Sequence, residues 1–131
     1  MRRWQLLAII PLFLVLVGCG KKDDRPKTGE VKGKVTLDGA PLASGKIVFE
    51  EGPGVPPTEL DIKDGVYSGQ VRVGPKTVRI FSYKTVPQKG VMKDQTMQVN
   101  TLPAKYNTAS KETREVKEGG PNEFDFALTA N

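Results

Sequence analysis

The side chains able to do chemistry are few, and the composition narrows them further. The 131-residue chain has no histidine and a single cysteine. Without imidazole it offers no Ser-His or Cys-His pair and no histidine ligand for zinc. Ser44, Ser68, Ser82 and Ser110 leave a Ser-Lys arrangement formally open, but none begins a Ser-x-x-Lys motif, and they read as turn and surface residues. Glu50-Glu51 and the pair Asp61/Asp64 supply carboxylates for calcium or for acid–base work. They lack the Asp-x-Asp-x-Asp-Gly spacing of a calcium loop, and Asp64-Gly65 reads as a hairpin turn. No catalytic residue, metal ligand or cofactor is therefore expected. Tyr83 and Tyr106 flank a long irregular stretch, 83–108, and are the candidate ligand contacts, able to stack on a sugar or on a protein. The competing expectation is that Tyr67 and Tyr106 pack their rings at a sheet edge with hydroxyls outward. Cys19 is the remaining reactive group, and with no second cysteine it cannot form an internal disulfide.

The surroundings of Cys19 give it a purpose. Arg2 and Arg3 precede an uncharged, mostly apolar run over 4–17, and Gly18 puts a small residue directly before the thiol. A membrane-spanning helix needs ~20 apolar residues, whereas this run is shorter, includes Gln5 and carries Pro11. Positive, apolar and small segments in that order make a secretory signal. Leu16-Val17-Gly18-Cys19 resembles the lipobox of bacterial lipoprotein signals. That resemblance implies a diacylglycerol thioether on Cys19, cleavage after Gly18 and a membrane partner held through the lipid. Gly20 stands where lipoproteins retained in the inner membrane often carry Asp, so the outer membrane is the expected address. The expected organisation is a signal helix and peptide over 1–18, a charged flexible spacer over 19–28, and one domain over 29–131.

The formal charge of +5 falls by two once Arg2 and Arg3 leave. The remaining lysines are scattered, without the aromatic interleaving of a nucleic-acid surface, so no nucleic-acid partner is expected.

From residue 30 the pattern has period two. Val31, Gly33, Val35 and Leu37 alternate with Lys32, Lys34 and Thr36, ending at Asp38-Gly39, which marks a half-buried strand and a tight turn. Residues 46–50 form a second strand, expected to pair antiparallel with the first. The Pro/Gly-rich stretch 51–57 is a loop. Strands follow at 58–62, 66–73 and 77–81, a brief one around Met97 and Val99, and two more at 112–116 and 124–128. About seven strands at short intervals predict an all-β fold, an antiparallel sandwich in which one sheet covers the apolar face of another. Strand alternation sends Lys32 and Lys34 to water, which argues against a Lys-Asn isopeptide bond from either.

Val31 through Leu42, then Gly45-Lys46-Ile47-Val48-Phe49, Asp64-Gly65-Val66-Tyr67 and Gly74-Pro75 resemble the carboxypeptidase regulatory-like domain, which implies a transthyretin-like sandwich. Leu102-Pro103-Ala104-Lys105-Tyr106-Asn107 and Asn122-Glu123-Phe124-Asp125-Phe126-Ala127-Leu128 are similar to small secreted lipoproteins of planctomycete-type bacteria. The resemblance implies an accessory, binding or structural module rather than an enzyme, with an envelope protein or polysaccharide as partner. Two other functions stand beside it: a carbohydrate-binding or adhesive module using the 83–108 stretch, and an enzyme with carboxylate chemistry at Asp61 or Asp64.

Overall fold

The computed structural model describes residues 18, 20, 22–90 and 94–131. The expected signal helix and the lipid-attachment residue Cys19 lie outside the described residues. From residue 22 to residue 27 every side chain is exposed. The first strand, β1 (Thr28–Leu37), alternates exposed and buried positions, and Val31 and Val35 are fully buried. Period-two hydrophobicity thus sets the facing of the chain from its first ordered strand.

The fold is all-β. After β1 come β2 (Ala40–Pro41), β3 (Ser44–Glu50), β4 (Thr58–Lys63), β5 (Val66–Arg72) and β6 (Gly74–Phe81). β7 (Tyr83–Pro87) and β8 (Thr96–Asn100) follow, then a single 3-10 turn at Ala104–Tyr106. β9 (Thr113–Val116), β10 (Asn122–Glu123) and β11 (Phe126–Leu128) complete the chain. The main sheet runs β10-β1-β5-β4-β3-β6-β9, with β2 and β11 also paired to β1. Residues from both ends of that order, Val31, Val35, Val116, Phe126 and Leu128, share one core cluster with Phe49, Tyr67 and Ile80 from the middle. The sheet therefore curls around its own apolar face.

Two turns are legible from composition. Asp38-Gly39 and Asp64-Gly65 both take positive φ at both residues (51° and 83°; 51° and 76°), the conformation of a type I′ hairpin turn whose twist matches the strands it joins.

Three expectations are corrected. β1 and β3 do not pair: β5 occupies one edge of β1 and β10 and β11 the other, while β3 lies between β4 and β6. The chain folds back on β1 through β2, sinks Leu42 into the core and only then starts β3. The pairing is also not wholly antiparallel, because β10 and β11 return alongside β1 in parallel. Finally, the 83–108 stretch is not irregular along its length, since β7 and β8 form an antiparallel hairpin with Tyr83 opposite Asn100 and Pro87 opposite Thr96. Pro87 ends β7 and leaves its ladder intact, consistent with proline at a strand end.

Candidate functional site

The two ends of the curled sheet approach without a main-chain ladder joining them, and side chains bridge the seam. Asn122, 4% exposed, accepts from the Lys117 amide (2.8 Å) and donates to the carbonyls of Lys117 (2.8 Å) and Glu30 (3.1 Å). One amide side chain thus ties β10 to the segment after β9 and to β1. Further along, Gly33 of β1 lets the chain between β10 and β11 pass close over it. A Cβ at Gly33 would lie 1.8 Å from the Phe124 carbonyl oxygen. The Tyr67 hydroxyl donates to that same oxygen (2.6 Å).

Past this point the seam opens into a cleft of about 220 Å³. Val78 and Ile80 of β6 and Phe126 and Leu128 of β11 give it apolar walls, with Tyr106, Glu112, Arg114 and Asp125 at the rim. Each rim group has a partner. Arg114 pairs with Glu112 at 3.1 Å and lies 4.9 Å over the Phe126 ring, and Asp125 accepts from the Lys34 amide (2.8 Å). Tyr106 accepts from the Thr129 amide (2.9 Å), and the Lys105 amine sits 5.0 Å from its ring centre. The bonds with Thr129, which favour the phenolate, hold Tyr106 below the usual phenol range. Tyr106 therefore fastens the end of the chain across the seam.

The segment carrying Tyr106 is pinned from below. Asn107, 2% exposed, donates to the carbonyls of Leu102 (3.4 Å) and Pro103 (3.0 Å). Arg79 bonds Glu50 (2.8 Å) with its Nε and the carbonyls of Asn107 and Thr108 with Nη1. The stretch 102–107 is thus a structural clamp in this protein.

Tyr83 lies elsewhere, on the β7–β8 arm, and does not line the cleft. Tyr83 is 45% exposed and its ring stacks on Phe81, with centroids 5.9 Å apart and planes 3° from parallel. Met97 on β8 is equally exposed. The structure therefore separates the two candidate contacts, giving Tyr106 a packing role and Tyr83 a free surface. Tyr67 departs from the expectation of an outward hydroxyl. It is 2% exposed, and burial raises its phenol far above the usual range.

The other candidates fall in ordinary places. Asp61 is exposed on β4 opposite Lys46, and Asp64 occupies the β4–β5 turn. Glu50 and Glu51 are taken up by cations, Glu50 by Arg79 and Glu51 by Lys76 (2.8 Å) and Arg72 (3.7 Å). Ser68 is exposed on β5 and Ser44 on β3. Ser82 is buried, not superficial, and its hydroxyl donates to the Ser44 carbonyl (2.8 Å), while Ser110 donates to the Val78 carbonyl (2.6 Å). Among the described residues no buried side-chain nitrogen or oxygen lacks a partner.

Sequence reading missed Lys76, whose side chain is 2% exposed and whose amine bonds Glu51 and the Val73 carbonyl (3.1 Å). Its signal was available, because Lys76 is in phase with the inward Val78 and Ile80 once β6 is started at Gly74 rather than at Thr77.

No family model and no curated protein matches this chain. Among solved structures it is similar to a DUF3823 family protein from Parabacteroides merdae, at 16% identity and a TM-score of 0.38. The match covers 80% of this chain and 46% of that one, so this chain spans less than half the length of that protein.

Proposed function

We propose that this protein is a lipid-anchored extracytoplasmic module without catalytic activity, a transthyretin-like sandwich held at the cell envelope, on the outer membrane. The observation that carries the reading is the order of parts around Cys19. A positive start, an apolar run and Gly18 precede it, and a charged segment follows whose described residues stay exposed up to β1. Such a segment is a tether, not part of a core. The regulatory-like turns and the partnered state of the described buried polar side chains favour a structural or interaction role. A single acyl chain binds membranes only marginally, so a lasting anchor calls for two or more on Cys19. Cells expressing the protein and fed a radiolabelled fatty acid will label it in the membrane fraction, and Cys19→Ala will abolish both label and membrane retention. An unlabelled wild-type protein, or a labelled Cys19→Ala variant, contradicts the anchor.

A second reading is favoured by the Phe81–Tyr83 stack. Tyr83 turns one ring face to its neighbour and leaves the other open, an aromatic platform of the kind that sugars stack against. On a glycan array Tyr83→Ala would then lose binding while Tyr106→Ala, which acts at the seam, would keep it. Equal signals from wild type and Tyr83→Ala exclude this reading.

A further inference from the structure

Lys76 carries the one buried ammonium among the described residues, and other cations surround it. It is inward on β6, in phase with Val78 and Ile80, and directly opposite Arg114 of β9, itself in phase with the buried Val116. Like charges directly opposite destabilise a sheet. Each of the two is held by a carboxylate of its own, Arg114 by Glu112 and Lys76 by Glu51. From β5, Arg72 approaches the second Glu51 oxygen (3.7 Å). Glu50 lies opposite Thr77, one residue out of phase, and is taken by Arg79. Glu115 is exposed and also out of phase, opposite Pro75, and residues 52–57 bring no charge. Glu51 is thus the only carboxylate bonded to the Lys76 amine among the described residues.

The same carboxylate roots a loop that has little else to hold it. Residues 52–57, Gly-Pro-Gly-Val-Pro-Pro, are exposed apart from the half-buried Val55. Among the described residues their one hydrogen bond runs from the Val55 amide to the Gly52 carbonyl (3.4 Å), inside the loop. The β3–β6 ladder ends at Glu50 opposite Thr77 and leaves the loop out. Segments with so few bonds to the body open at low cost. The amine also has a way out. Beyond its chain neighbours, a Cβ at Gly74 would meet the Lys76 Nζ at 3.6 Å and nothing else within 4 Å.

We propose that Glu51 and Lys76 form an acid-released latch: a proton taken up by the Glu51 carboxyl sends the Lys76 ammonium out past Gly74 and frees loop 51–57, while the strands stay paired. With Glu51 neutral, the ammonium keeps only the Val73 carbonyl (3.1 Å) and has Arg72 and Arg114 as its charged neighbours. A buried charge without a counter-charge is strongly disfavoured, and the flexible lysine stem carries it to water. The latch is closed at neutral pH. It opens on the acid side of the ordinary glutamate value, because hydrogen bonding to Lys76 holds the Glu51 carboxyl below 4.5. This inference does not depend on the lipid anchor.

The full 131-residue chain carrying Cys19→Ser, in detergent micelles and labelled at lysine side chains and valine methyls, provides the test by NMR. At neutral pH the Lys76 ammonium protons will exchange with water at least about tenfold more slowly than those of the exposed Lys32, and on acidification that protection will vanish. The Val55 methyls will shift at the same midpoint, below 4.5, while those of the buried Val31, Val71 and Val78 hold their positions through it. Glu51→Gln will leave Lys76 unprotected at neutral pH. Lys76→Met, which removes the buried charge and keeps an apolar stem, will make the Val55 signals indifferent to pH over the same range. A Lys76 that exchanges as fast as Lys32 at neutral pH overturns the inference. So does a Val55 transition that persists in Lys76→Met, or one that all the valines share, which is unfolding of the whole sheet and not release of a latch.

Discussion

Tyr67 joins the centre of the sheet to the crossing of the final strands. Its ring packs 6.2 Å from that of Phe49, and its hydroxyl is the donor to the Phe124 carbonyl. Tyr67→Phe keeps the ring and leaves that carbonyl without this donor, so the domain will lose about 1–2 kcal/mol, read from urea unfolding with an unchanged slope. The pH dependence has a definite sign. The folded state holds this phenol proton above the ordinary value of 10.0, so its contribution is full below pH 10 and drains away as pH rises further. Tyr67→Phe will therefore have a flatter alkaline limb than wild type, and identical limbs would contradict this account. Strand alternation from Val66 already places Tyr67 inward. Its partner is not readable, because it lies 57 residues away where β10 gives way to β11 over Gly33, and only the folded seam brings the two together.

Between elements, the seam depends on polar side chains rather than on a ladder, while at the β3–β6 margin a buried ion pair adds to the ladder. Asn122→Ala leaves the Lys117 amide and two carbonyls short of partners, which will cost about 2 kcal/mol in urea or thermal unfolding. Asn122→Asp will cost at least as much, because a carboxylate oxygen then faces the carbonyls of Glu30 and Lys117. A smaller loss for Asp than for Ala would disprove the latch. At the other margin Lys76, in hydrogen bond with Glu51, holds the Glu51 carboxyl below the ordinary value of 4.5. Its stabilisation is present above pH 4.5 and is lost as pH falls through the lowered folded value. Lys76→Met will flatten that acid limb, whereas Glu51→Ala, which strands a buried ammonium, will be the more destabilising of the two at neutral pH. Acid-limb slopes that match wild type would refute the pair. Alternating stretches and Asp-Gly turns made most strands legible at this scale. The neighbours of β1 were not, because β1 is first in sequence yet takes partners from the middle and end of the chain. The brief strand expected around Met97 and Val99 is β8, but its partner β7 was missed because that strand is mostly exposed and marks no core-facing alternation.

For the whole molecule, the proposed localisation and the observed shape rest on different parts of the chain. The all-β class was readable because hydrophobicity of period two recurs with short turns and nothing in that pattern is helical. Of the two candidate contacts, Tyr83 lies on an exposed surface and Tyr106 at the seam beside the cleft, and their separation was not readable in the sequence. The pattern could not separate them, because an aromatic residue flanking a loop packs or protrudes according to neighbours distant in sequence. What remains is a curled sheet whose described buried polar groups are satisfied, with an exposed β7–β8 arm and a charged, exposed segment ahead of β1. The central claim is that the tether ends in lipid at Cys19, and intact-mass spectrometry of the protein isolated from its native membrane tests it most directly. The predicted result is a chain beginning at Cys19 with residues 1–18 gone and the mass of a diacylglycerol thioether added. A chain that still begins at Met1, or one that carries a free thiol at residue 19, would contradict it.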